Sequence, residues 1–171
     1  MAFKSIGSLD HTNEAPLLRR YIITNSVVTT INDSVKLASG FMALGTTGAL
    51  VLGHVYAIGT EKGVGVSSTG ATGAEFGSFT NTYTAASNNQ TVAKVKADVN
   101  ISKMALYSAS LDATIGTTTG SNLAGYHIDV LDEDDLSESS TITATAQYST
   151  HGVDPYNSSN AVVNIYESQL L

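Results

Sequence analysis

Cysteine and tryptophan are absent, proline occurs only twice, and charged residues make up 13% of the 171-residue chain. The lack of cysteine excludes disulfides, thiolate nucleophiles and Cys-ligated zinc. Pro16 and Pro155 are the only residues barred from donating a backbone hydrogen bond. The charge share is about half that of an average globular domain. The polar surface must therefore come from 21 Thr, 20 Ser, 11 Asn and 15 Gly. Thr suits strands, while Ser, Asn and Gly suit turns, so the composition points to β structure. Cations are scarcest of all: eight Lys and Arg face 15 Asp and Glu, for a net charge of −7. Binding a phosphate backbone needs clustered Lys and Arg, and Arg19-Arg20 is the only adjacent pair, so nucleic acid is not an expected partner. Leu, Ile, Val and Phe number 42, enough for a core. Stability must come from packing, subunit packing included.

Long apolar runs are missing too. Residues Met1 to Asp10 hold no continuous apolar region, so no signal peptide is expected. The most apolar window, Phe41 to Ile58, is broken by Gly45, Thr46, Thr47, Gly48, Gly53 and His54, so no membrane span is expected. Asn32, Asn89, Asn100 and Asn157 begin formal glycosylation sequons, which carry little weight without a secretory signal.

What is present reads as one mainly β domain over residues 20–171, preceded by an extended arm over residues 1–19. Gly7, Asn13 and Pro16 break any periodicity in the arm, while Phe3, Ile6, Leu9, Leu17 and Leu18 suit an arm that docks rather than a solvated tail. Tyr21 to Ile23, Val27 to Ile31, Val35 to Leu37 and Phe41 to Leu44 read as strands, with Ser39-Gly40 as a turn. Leu50 to Ile58 reads as a buried strand, with Gly53 at a bulge or close contact. Six glycines within 59–78 predict a long loop or hairpin suited to contact with a neighbour. Thr91 to Ile101 gives the clearest alternation: Ala93, Val95, Ala97, Val99 and Ile101 against Lys94, Lys96, Asp98 and Asn100. Residues 124–130, 141–148 and 161–166 predict further strands, and only 132–140 could hold a helical turn. The expected architecture is an all-β small barrel, β-tulip-like domain or sandwich.

No catalytic constellation emerges. There is no G-x-S-x-G elbow, H-E-x-x-H pair or Walker loop. Gly116 to Gly120 lacks the lysine of a phosphate loop, and Gly63-Val-Gly65 has no strand–helix setting. His54 lies in the most apolar strand and is expected to be a hydrogen-bonded core or interface residue. His127 is expected on an exposed face, with His11 and His151 in loops. Asp129, Asp132, Glu133, Asp134, Asp135 and Glu138 form an acidic cluster. Asp132, Asp134 and Glu138 are calcium candidates, although they lack the glycine and ligand spacing of an EF-hand, and a solvated acidic turn or a patch facing a basic partner competes. Tyr83, Tyr107, Tyr148, Tyr156 and Tyr166 could contribute to a glycan site, with core tyrosines the commoner explanation. No cofactor and no enzymatic activity are expected.

Three stretches carry a family likeness. Asp33 to Leu37, with Gly40 to Ala43 and Leu52 to Ile58, resembles the start of the small barrel or β-tulip domain of tailed-bacteriophage capsid decoration (cement, or auxiliary capsid) proteins. Gly125 to Asp129 looks like a mid-domain strand of that family. Gly152 to Asn157 with Val163 to Ser168 resembles a phage virion-protein C-terminus. The resemblance implies a virion structural protein on the capsid exterior, assembled in the host cytoplasm. It implies the major capsid protein as partner, a homo-oligomer with the trimer favoured, and no membrane partner. The arm would then supply contacts through Phe3, Ile6, Leu9, Arg19 and Arg20. The alternatives are another virion component (tail, neck or head fibre) and a glycan-binding β-sandwich module.

Overall fold

The computed structural model describes residues 3–9, 16–46, 48–60, 82–93, 95–111, 127–128, 135–136 and 147–170. The architecture is mainly β, as the composition predicted. Thirteen strands are described: β1 (Lys4–Ser8), β2 (Leu18–Ile22), β3 (Val28–Thr30), β4 (Ser34–Ala38), β5 (Phe41–Leu44), β6 (Gly53–Thr60), β7 (Thr82–Thr84), β8 (Val95–Asn100), β9 (Ala105–Leu111), β10 (His127–Ile128), β11 (Asp135–Leu136), β12 (Tyr148–Asp154) and β13 (Asn157–Ile165). One helical turn, α1 (Asn89–Val92), precedes β8.

Five strands form one sheet in the order β2-β8-β6-β4-β5. Its two edges approach each other: Ile23, just after β2, forms a parallel bridge with Met42 of β5, and the Thr24 N–H donates to the Met42 carbonyl at 2.9 Å. The sheet is therefore rolled, and its concave side holds an aliphatic core that includes Ile23, Val35, Met42, Leu52, Val55 and Val99. Each such side chain, fully buried, contributes on the order of 1.5–3 kcal/mol. The β4–β5 hairpin forms where the sequence predicts it. Ser39 (φ +52°) and Gly40 (φ +83°) make the two-residue loop, the left-handed pair that matches strand twist. The second sheet runs β1-β9-β13-β12-β10, with β11 added in parallel to β9. Phe3, Tyr107, Ala109, Tyr148, Ala161 and Val163 belong to its core. β3 and β7 pair separately.

The sequence-based boundaries need three corrections. Residues 3–9 are extended, as expected, but they are not separate from the domain. β1 pairs antiparallel with β9, and Phe3 is 1% exposed in the core. The strand was illegible because it is an edge with a bulge at Ile6, between the Ser5 and Gly7 register positions, which breaks the two-residue period. Arg19 and Arg20 lie within β2, so the domain begins before residue 20. Second, the strand expected from Thr91 starts at Val95, because Thr91 and Val92 belong to α1 and Ala93 closes it in the left-handed region at φ +52°. The buried Asn89 side chain fixes that turn by donating to Ile23 O at 2.6 Å and accepting from Val95 N–H at 3.0 Å. Third, His151 lies in β12, at a bulge between Thr150 and Gly152, and not in a loop. The strand expected over 161–166 belongs to the longer β13. Residues 61–81, most of 112–146 and the alternations placed there lie outside the described residues.

Beyond β13 the chain returns to the rolled sheet. Ser168 bridges Val51, and Gln169 N–H donates to Val51 O at 2.9 Å. The Gln169 amide accepts from Leu37 N–H at 2.5 Å and donates to Leu37 O at 3.1 Å. β4 pairs with β6 only at Ser34 and Val35, so a side-chain amide takes the place of a neighbouring strand at Leu37. Leu170 packs on the aliphatic core.

Candidate functional site

The two sheets meet along a polar and aromatic seam. Alternation along β6 sends Val55 into the rolled sheet and leaves His54 facing the second sheet. Alternation does the same in β4, where Val35 is aliphatic core and Ser34 faces Tyr148, and in β8, where Val99 is core and Asn100 faces Tyr107. Gly53 lets β6 lie close against β8. A Cβ there would sit 2.3 Å from the Asn100 carbonyl and 2.8 Å from Val99 Cγ1, so the close contact expected at this glycine is present.

His54 is the centre of the seam. Its Nδ1 lies 2.9 Å from the Asn32 carbonyl, and its Nε2 lies 2.9 Å from the Tyr148 hydroxyl. That hydroxyl is also 2.9 Å from Ser34 Oγ. Asn32 has φ +74°, a left-handed conformation that asparagine tolerates better than most residues. The His54 ring stacks on Tyr107 with centroids 3.9 Å apart and meets Phe3 at 4.5 Å, while Phe3 stacks on Tyr148 at 5.3 Å. Asn100 donates to the Tyr107 hydroxyl at 3.3 Å. Burial pushes the His54 pKa down to about 4, against the opposing hydrogen bond to Asn32. Burial pushes the Tyr107 phenol well above its usual range, with the Asn100 bond opposing.

Ser34, Tyr148 and His54 thus form a hydroxyl–hydroxyl–imidazole relay, but all three side chains are buried. What the relay does is join β4 and β6 of one sheet to β12 of the other.

A groove of about 740 Å³ opens beside the seam and reaches His54, Asn100 and Tyr107. Among the described residues no Asp, Glu, Lys or Arg lines it. Four exposed apolar side chains stand around it: Ile6, Leu17, Tyr56 and Met104. Ile6 and Tyr56 are the extra residues of the bulges in β1 and β6, and bulges characteristically re-aim a side chain.

A second polar cluster lies on β9, β12 and β13. Ser108 Oγ donates to Asp154 at 2.5 Å, and Asn160 donates to Ser108 Oγ at 2.9 Å. The Ser108 hydroxyl, then the Tyr156 N–H, hold the Asp154 carboxyl below the usual range. Tyr156 itself stands 97% exposed at the hairpin tip.

The residues expected to form the contact arm are dispersed. Phe3 is core and therefore unavailable to a partner, which corrects its assignment. Ile6 is 42% exposed at the groove. Leu9 is half-buried, with its N–H donating to Met104 O at 2.8 Å. Arg19 is exposed on β2. Arg20 forms a two-point ion pair with Asp98 of β8, at 2.7 and 3.0 Å. Such surface pairs contribute about 0–1 kcal/mol. Asp132, Asp134 and Glu138 lie outside the described residues, among which no cluster of three or more His, Asp or Glu could hold a metal ion. Among the described residues, no helix is long and apolar enough to cross a membrane. Of the tyrosines considered for a glycan site, Tyr83, Tyr107 and Tyr148 are core, whereas Tyr156 and Tyr166 are exposed. Comparisons with protein-family models, curated proteins and solved structures return no match.

Proposed function

We propose that this protein is a non-catalytic virion component that binds the outer surface of an assembled phage head and bridges neighbouring capsomers. One observation carries the binding role: Ile6, Leu17, Tyr56 and Met104, four large exposed apolar residues, surround a single groove. Apolar side chains scattered singly are ordinary, but a gathered set marks an interaction surface. The choice of a phage head rests on the resemblance in residues 33–37, 40–43, 52–58, 125–129, 152–157 and 163–168. The acidic balance of −7 suits the outside of a shell better than the side facing packaged DNA. Repeated weak contacts on an oligomer, with a trimer favoured, would add through multivalency. Binding only the assembled shell would stabilise it by mass action.

The contact set changes accordingly. Ile6, Leu17, Tyr56 and Met104 replace Phe3. The test is co-sedimentation with undecorated heads. The unsubstituted protein should saturate at a fixed copy number per capsomer. Ile6→Asp with Met104→Asp should weaken binding at least tenfold while leaving the circular dichroism spectrum unchanged. Failure of the unsubstituted protein to bind heads overturns the reading. Labelled protein located on tails or fibres by electron microscopy replaces it with the other-virion-component alternative.

A further inference from the structure

The hydrogen bonds at His54 have only one consistent direction when the ring is neutral. The Asn32 carbonyl can only accept, so Nδ1 carries the proton. Nε2 then carries a lone pair and must accept, so the Tyr148 hydroxyl donates to it. With its proton committed, the Tyr148 oxygen accepts from Ser34. The chain therefore runs from Ser34 of β4 to Tyr148 of β12, then to His54 of β6, and ends on Asn32. It crosses the seam twice.

Protonating Nε2 reverses it. The ring would become a double donor, the Tyr148 hydroxyl would turn to donate to Ser34, and the Ser34 proton would lose its acceptor in the chain. The new positive charge would have no carboxylate facing it among the described residues. The groups around the ring are Phe3 ahead of β1, Ser34 of β4, Asn100 of β8, Tyr107 of β9, Tyr148 of β12 and the Asn32 carbonyl. Only the two tyrosines among these are ionisable, and neither is an acid of the carboxylate kind. Asp33, beside Asn32 in sequence, has its Oδ2 on the Thr30 N–H at 2.7 Å. The groove reaches His54, which gives protons a short route.

We propose that His54 is an acid-sensitive latch between the two sheets, whose protonation reverses the Ser34–Tyr148–His54 hydrogen bonds and parts the layers at the seam. The sign follows from the burial of the ring. The folded protein takes up this proton near pH 4 and the unfolded chain near pH 6.5. Between those values the unfolded state binds more protons, so stability falls as pH drops through the window and levels off below it. At pH 4.5 the folded-to-unfolded ratio should be roughly a hundredfold lower on this account alone.

Two measurements on the intact chain test this. Long-range proton–nitrogen NMR of the imidazoles should show His54 as the Nδ1–H tautomer at pH 7 and still neutral at pH 5. Urea unfolding from pH 7 to 4.5 should show that roughly hundredfold loss in the unsubstituted protein and its absence in His54→Phe/Tyr148→Phe. That variant replaces both partners with apolar rings of similar shape. An Nε2–H tautomer, or a His54 that titrates near 6.5, overturns the latch, as do parallel pH profiles for the two proteins. The NMR result stands by itself if the double variant does not fold.

Discussion

The inside of the rolled sheet and the seam beside it are both closed to solvent, yet they hold together by different physics. The roll is filled by Ile23, Val35, Met42, Leu52, Val55 and Val99, whose attraction has no direction. The seam is filled by Phe3, His54, Tyr107 and Tyr148 with Ser34 and Asn100, whose hydrogen bonds and ring contacts fix both distance and angle. A directionless core tolerates exchange of side chains of equal volume. A directional one specifies how two layers register, and it leaves a costly unpaired group whenever one member is lost.

Three substitutions probe this contrast. Phe3→Ala removes a ring that touches His54, Tyr107 and Tyr148, and it should lower unfolding free energy by ~3–5 kcal/mol in urea titrations. A loss below ~1 kcal/mol would return residues 3–9 to the status of a dispensable arm. Tyr148→Phe keeps the ring but leaves His54 Nε2 without its donor, so a cost of ~1–3 kcal/mol is expected. Met42→Leu, inside the roll, conserves volume and should cost under ~1.5 kcal/mol. If Met42→Leu proves as damaging as Tyr148→Phe, the distinction between the two interiors fails.

The roll was largely legible in the sequence, and the seam was not. Val95, Ala97 and Val99 alternate with polar residues and do face the aliphatic core. Ser39-Gly40 announces its hairpin, and Gly53 its close approach. These are local signals, set by neighbours a few residues apart. The seam joins Ser34 to Tyr148 and His54 to Tyr107, partners far apart along the chain. Alternation assigns Asn100 to the wet face of β8, and nothing local reveals that a second layer covers that face. His54 was legible as a buried, hydrogen-bonded residue from its apolar setting, but its partners were not. The bulges at Ile6, Tyr56 and His151 hid further structure, because each resets the two-residue period on which strand reading depends.

The return of residues 166–170 to the rolled sheet sets an order of events for the growing chain. The roll is composed of residues between Leu18 and Asn100, and all of these leave the ribosome early. The amide that stands in for a missing strand at Leu37 belongs to Gln169, made more than a hundred residues later. The first layer to be synthesised therefore waits, with Leu37 unpaired on that side, for the last segment described. Contacts this distant in sequence slow folding, so the nascent roll is the stage at which this protein most needs protection from pairing with strands that are not its own.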